Sequence, residues 1–317
     1  MRPLSTILLI TLLGASTALP AQTRDENWDR CKGSDPDLSI GGCTALIQSG
    51  LENNSNLSTL FFNRGNAYRH MGDFDRSIQD YDQAVRLNPG SAPAFDNRGL
   101  AYTLKGDYDR AIADFDQALL LNPSNTTAYN NRAAVYMRKG DLDRAIADYD
   151  QALRFQPNNA TALNGRGRAF LYLGRFAAAQ ESFAAVRKLD LSDPYSAIWL
   201  YLATARAGQD GRHELEKSTE QISLTAWPGP VINLYLGKVT QNAVLSSAGD
   251  PDAKKDREQH CEAYFYLGEF ALSGGARSKA KRLFQQSFDT GVFWFIEYAG
   301  AQVELKRLQA SEVKAGR

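Results

Sequence analysis

The chain of 317 residues carries 36 lysines and arginines against 36 aspartates and glutamates, so its formal net charge is zero and it has no basic footprint for nucleic acid. Its three histidines, His70, His213 and His260, show no i, i+4 pairing of a helical metal site, and no cofactor is expected. Beyond the N-terminus no stretch is long and apolar enough to cross a bilayer, so no membrane span is expected.

Residues 1–21 read MRPLSTILLITLLGASTALPA: a charge at Arg2, an apolar run near Ile7 to Leu13, then small residues. That is the order of a secretory signal, with cleavage expected near Ala21 and an exported, soluble, periplasmic product; an uncleaved anchor or a mis-assigned start is the alternative. No cysteine follows the apolar run, so no lipid attachment site is expected there. Residues 22–57 are expected to form an N-terminal helical cap of two short helices. Ile40, Cys43 and Ile47 share one side of the second, and Gly41 and Gly42 weaken its middle. Cys31 and Cys43 stand close together, and an oxidising compartment would let them pair, contributing about 3 kcal/mol.

Residues 58–191 repeat themselves. Pro89, Pro123 and Pro157 mark a fixed period, and the text before them recurs as GDFDRSIQDYDQAVRLNP, GDYDRAIADFDQALLLNP and GDLDRAIADYDQALRFQP. With Ser58, Ala92, Thr126 and Ala160 as first positions, the fourth, eighth and eleventh residues place an aromatic or Leu163, a small residue and another aromatic on one helical face. A small residue there admits a close second helix. That helix offers Ser77/Tyr81/Ala84, Ala111/Phe115/Ala118, Ala145/Tyr149/Ala152 and Ala179/Phe183/Val186. Gly72, Gly106, Gly140 and Gly174 stand where a left-handed cap ends the first helix, and Asp73, Asp107 and Asp141 where an N-cap starts the second; the fourth unit has Arg175. Such hairpins cannot bury their apolar faces alone and must stack.

These residues closely resemble the tetratricopeptide-repeat (TPR) family, whose period they share. The resemblance implies an all-α fold, an α-solenoid of helical hairpins wound as a right-handed superhelix, with a protein-binding concave groove. The groove stripe of the first helices carries Phe62, Asn66 and Arg69, then Asp96, then Asn130, then Asn164 and Arg168; Asn63, Asn97 and Asn131 stand at the sixth position. In peptide-binding TPR proteins an asparagine at the sixth position, with one at the ninth of the preceding unit, grips an extended peptide backbone, and Asn66 with Asn97 satisfies that pair. Equally, these asparagines serve to cap or bridge neighbouring helices. The lysines that would clamp a terminal carboxylate are replaced by Phe62 and Thr127, so a free C-terminus is not the expected ligand.

Arg64, Arg98, Arg132 and Arg166 replace the usual apolar seventh residue, and a half-buried guanidinium needs an acid. Asp80, Asp114 and Asp148 recur once per unit, with Ser182 in the fourth. Pairing within a unit strands Arg166; pairing to the preceding unit strands Arg64. The expectation is a ladder that joins neighbouring units.

Residues 192–260 hold a degenerate unit, with Trp199 where Phe61 stood, followed by an irregular stretch whose Pro228 and Pro230 forbid a continuous helix. Residues 261–310 return to the pattern at Tyr264, Leu267, Gly268, Gly275, Ala280 and Phe284. A final helix then puts Trp294, Tyr298, Ala301, Leu305 and Leu308 on one stripe, with Glu304, Lys306 and Arg307 on a charged face expected to meet solvent; 311–317 is a tail. The segments SDPYSAIWLYLA, NLYLGKVT and EAYFYLGEFALSGGARSKAKRLFQQSFDTGV resemble, in order and context, the NlpI-type TPR lipoproteins of Gram-negative bacteria. That resemblance implies a cell-envelope adaptor, often a homodimer, that brings peptidoglycan hydrolases to a C-terminal-processing protease.

Catalysis is not expected. Paired aspartates such as Asp114 and Asp116 recur at the period, as capping and solvent-facing positions do. Three functions stand: a scaffold or adaptor binding other proteins or extended peptides, a structural subunit of an envelope assembly or secretion complex, and an envelope enzyme using region 221–260 if Trp227, His260 and Cys261 meet.

Overall fold

The structure is a computed structural model that describes residues 22–293 and 295–315, of which 312–315 by backbone alone. The expected signal segment and Trp294 lie outside the described residues. Among the described residues the chain forms helices and no strand. The first two, α1 (Arg24–Lys32) and α2 (Pro36–Ser49), are the cap. Cys31 and Cys43 are disulfide-bonded with Cα atoms 4.7 Å apart. Gly42, which costs helix propensity, is what lets the pair close: a Cβ there would lie 2.5 Å from the Asn27 carbonyl oxygen.

Four hairpins follow, α3 (Asn54–His70) with α4 (Phe74–Leu87), α5 (Ala92–Lys105) with α6 (Tyr108–Leu121), α7 (Thr126–Lys139) with α8 (Leu142–Phe155), and α9 (Ala160–Tyr172) with α10 (Phe176–Leu189). Each packs on its partner and on the next hairpin, which is the stacking the repeat demands. The small eighth residue has the role its spacing implies. A Cβ on Gly99 would come within 2.9 Å of the Phe115 ring, and one on Gly167 within 2.7 Å of Phe183. Gly72, Gly106, Gly140 and Gly174 all take the left-handed conformation at the hairpin bend. Asp73, Asp107 and Asp141 then accept a hydrogen bond from the backbone three residues on, whereas Arg175 makes no side-chain cap.

The arginine ladder differs from the expectation. Arg64, Arg98 and Arg132 each grip the aspartate of their own unit with two parallel bonds: Arg64 to Asp80 at 2.7 and 2.8 Å, Arg98 to Asp114 at 2.8 and 2.7 Å, Arg132 to Asp148 at 2.8 and 2.6 Å. The bonds to the preceding unit come from the third nitrogen and reach a second series of acids. Arg98 donates to Asp82 at 2.7 Å, Arg132 to Asp116, and Arg166 to Asp150 at 2.8 Å. Arg64, with the cap before it, donates to Thr44 at 2.9 Å instead. Residues two apart on a helix point about 200° apart, so Asp80 faces its own first helix and Asp82 the next hairpin.

Beyond α10 the regular stack loosens into α11 (Pro194–Arg206), the short α12 (Arg212–Ser218), α13 (Gly229–Tyr235) and α14 (Gln241–Ser247), then closes with α15 (Ala253–Ser273) and α16 (Arg277–Asp289). The last helix, α17 (Ile296–Ala315), runs through most of the expected tail. It packs on α15 and α16 and also reaches back to α7. A Cβ on Gly300 would lie 2.3 Å from the Tyr172 hydroxyl, so this contact requires glycine. Glu304 is therefore not on a solvent face: it is fully buried and, with Glu269 of α15, holds Arg206 of α11 at 3.2 and 2.7 Å. Arg307 adds a further ion pair to Glu304 at 3.1 Å.

Candidate functional site

The first helices of the hairpins present the groove stripe, and α17 divides it. Over units one and two, and at Asn130 and Asn131 of unit three, the stripe is open, and its polar side chains first satisfy one another. Asn66 Oδ1 accepts from the Tyr81 hydroxyl at 2.6 Å and from Asn97 Nδ2 at 2.9 Å, so the asparagine pair bridges two units. Asn131 Nδ2 donates to Asp96 at 3.1 Å, and Asn130 Nδ2 to the α9 N-cap Asn159 at 3.3 Å. Phe62 lies against Tyr81 with ring centres 6.1 Å apart. Among the described residues two buried atoms on this row, Arg69 Nε and Asn130 Oδ1, have no hydrogen-bond partner. Burial pushes the Asp96 carboxyl above the ordinary range, partly offset by Asn131 and by the charge of Arg69.

From Ala134 and Met137 of unit three into unit four, α17 lies over the stripe. Arg138 of α7 donates to the Phe293 carbonyl, and Ala134, Met137, Arg168 and Tyr172 face Ile296, Ala299, Gly300 and Val303. Between this wall and α11 lies a cavity of about 500 Å³ lined by Asn164, Arg168, Asp193, Tyr195, Trp199, Glu262, Phe295, Ile296 and Glu297. Its floor is Trp199, stacked on Phe183 at 5.9 Å and edge-on to Tyr266 at 5.8 Å. The Arg168 guanidinium sits 5.8 Å above the Trp199 ring.

Two buried carboxylates face this space. Glu262 Oε2 accepts from Trp227 Nε1 at 2.6 Å and from the Tyr195 hydroxyl at 2.9 Å, and Glu297 Oε1 from the Tyr266 hydroxyl at 2.9 Å. Neither is ion-paired among the described residues, although they are only 7 % and 6 % exposed. Burial, and then the like charge of Glu297, push Glu262 up to about 7 against the bonds from Trp227 and Tyr195. Burial also raises Glu297, opposed by a backbone N–H, the Tyr266 hydroxyl and the charge of Arg168.

Sequence reasoning found Asn164 and Arg168 but missed Tyr195, Glu262 and Glu297. A signal for Glu262 was present: with Tyr264 at the fourth position of the last hairpin, Glu262 falls at the second, a groove position. Trp227, His260 and Cys261 do not share a site. Trp227 bonds Glu262, His260 Nδ1 pairs with the Asp256 carbonyl of its own helix at 2.8 Å, and buried Cys261 faces Ser287 at 3.5 Å.

Models of the tetratricopeptide repeat match residues 58–91, 97–160 and 164–229, together about half of the chain. The chain belongs to the tetratricopeptide-repeat family. This TPR protein shares its fold with a TPR protein from Parabacteroides merdae, at 16% identity and a TM-score of 0.56, covering 90% of this chain and 96% of that one. The C-terminal part of a TPR repeat-containing protein from Cytophaga hutchinsonii aligns at 16% identity with a TM-score of 0.57, covering 84% of this chain and 95% of that one. In sequence, 143 residues are 29% identical to the lipoprotein NlpI homolog of Haemophilus influenzae. That match takes in 44% of this chain and 46% of the relative, so it spans less than half the relative's length.

Proposed function

We propose that this TPR protein is an exported, non-catalytic adaptor of the cell envelope that holds an extended segment of a partner protein along the open part of its groove. The observation that carries this reading is the row of half-buried polar groove side chains, Arg69 and Asn130 beside the Asn66–Asn97 and Asp96–Asn131 bridges, set along one stripe of the first helices. Side-chain amides and a guanidinium at such spacing offer donors and acceptors that suit a peptide backbone. Export is supported by the order of residues 1–21 and by the Cys31–Cys43 bond, which suits an oxidising compartment. A non-catalytic role is supported by the separate partners of Trp227, His260 and Cys261. The NlpI-type resemblance supplies the class of activity, bringing peptidoglycan hydrolases to a processing protease.

The test is selection of displayed peptides on the purified chain, followed by titration of the selected peptides against Arg69→Ala and Asn130→Ala. Both variants are expected to stay folded at the assay temperature and to bind at least several-fold more weakly. Peptides that bind both variants as tightly as the parent overturn the groove assignment.

A further inference from the structure

The cavity at the covered end of the groove gathers two buried carboxylates that no cation among the described residues pairs. Glu262 and Glu297 are each more than nine-tenths buried, line the same space and are ion-paired to nothing among the described residues. A buried charge without a counter-charge is costly, and proteins retain one where something answers it. Glu262 is also aimed, since the Trp227 indole and the Tyr195 hydroxyl both hold its Oε2. Asn164 adds a buried Oδ1 that no donor among the described residues reaches. The remaining acid of the lining, Asp193, is spent on capping α11 through the Tyr195 and Ser196 amides. Among the described residues of the lining Arg168 is the one cation, and it lies over Trp199 rather than on either glutamate. The unmet demand is thus for N–H donors with positive charge, and the Trp199 floor with Ile296 suits an aliphatic stem behind them.

We propose that this cavity takes one lysine or arginine side chain of the segment bound in the groove, the charged head reaching Glu262 and Glu297 and the stem lying on Trp199. The proposal rests on the adaptor reading for the source of that side chain, but its chemistry is testable without a partner. The probe is Nα-acetyl-lysine N-methylamide, with the norleucine analogue as its uncharged equal in length, followed by ¹H–¹⁵N correlation spectra of the full chain. The lysine probe is expected to move the Trp227 indole signal saturably, the norleucine probe to leave it in place, and Glu262→Gln to weaken the lysine probe about tenfold or more, as loss of a charge-assisted hydrogen bond implies. Equal shifts with both probes, or undiminished binding to Glu262→Gln, overturn the proposal. The norleucine comparison needs no variant, so it stands even if Glu262→Gln folds poorly. Should the probe bind while peptide selection yields nothing, the adaptor reading fails and the cation site stands; should selected peptides bind without a basic residue and ignore Glu262→Gln, the reverse holds.

Discussion

Arg132 and Arg166 hold the same place in consecutive repeats yet face different partners, which makes a quantitative test. Arg132→Met removes a two-bond grip on Asp148, a residue 5 % exposed, and a bond to Asp116. Breaking a buried pair from one side costs about 3–5 kcal/mol, because the remaining charge keeps its desolvation penalty. Arg166→Met loses a 3.3 Å bond to Ser182 and an ion pair to Asp150, whose side chain is half exposed, so its cost is about 1 kcal/mol. Burial already lifts the Asp148 carboxyl, and Arg132 is what pulls it back. Without Arg132 the folded state holds the Asp148 proton still more tightly relative to the unfolded chain. The penalty is then full at pH 7 and shrinks as pH falls toward the ordinary aspartate range. Urea titrations followed by circular dichroism at pH 7 and pH 5 check this. The expected order is a large loss for Arg132→Met at pH 7, a smaller one at pH 5, and a small, nearly pH-independent loss for Arg166→Met. Adding Asp148→Asn to Arg132→Met should recover most of the loss at pH 7. Equal losses for the two arginines, or no recovery by the double variant, refute the reasoning.

Gly99→Ala drives a methyl to 2.9 Å from the Phe115 ring and should cost about 1–3 kcal/mol by thermal melting, with Phe115→Leu in the same chain restoring part of it. Replacing Cys31 and Cys43 by serine should cost about 3 kcal/mol locally, so that hydrogen exchange accelerates over 24–49 and stays slow over 92–189. Glu262 titrates at about 7 in the folded chain against an ordinary 4.5, so the folded state binds its proton more tightly across that window and stability declines as pH rises through it. The full contribution is up to about 3 kcal/mol. Melting temperature should therefore fall from pH 5 to pH 8 by more in the parent than in Glu262→Gln.

The repeat core was legible because each unit meets a copy of its own surroundings, so one period of text specifies every interface within it. Gly99, Gly106, Asp107 and Phe115 could be placed from spacing alone, and the structure puts each to the predicted use. The ladder was half legible. Asp80 and Asp82 both recur at the period, but which one turns inward depends on the angle at which the second helix presents its faces, and the sequence reading took only the first series. What had no period was not legible. Tyr195 meets Glu262 and Arg206 meets Glu304 across long stretches of chain, so nothing local marks either contact. Glu304 in particular sits in a run of charges, and only the return of α17 toward α7 makes it interior.

That return also fixes how much groove a partner can use. α17 is anchored by Arg206, whose side chain is 5 % exposed, against Glu269 and Glu304, which are fully buried. Undoing one such contact from one side costs several kcal/mol, so α17 acts as a wall and not as a displaceable strap. A segment entering at α3 and ending at the cavity beside α9 crosses three helix spacings of about 8–10 Å each, or about 24–30 Å. An extended chain at about 3.3 Å per residue covers that in about seven to nine residues. Affinity in a peptide truncation series should therefore rise up to about nine residues and level off, with the last gain appearing only when a lysine or arginine stands at the end that reaches Glu262. Continued gains for peptides twice that length would mean that α17 yields, and that Arg206 does not hold it as its burial implies.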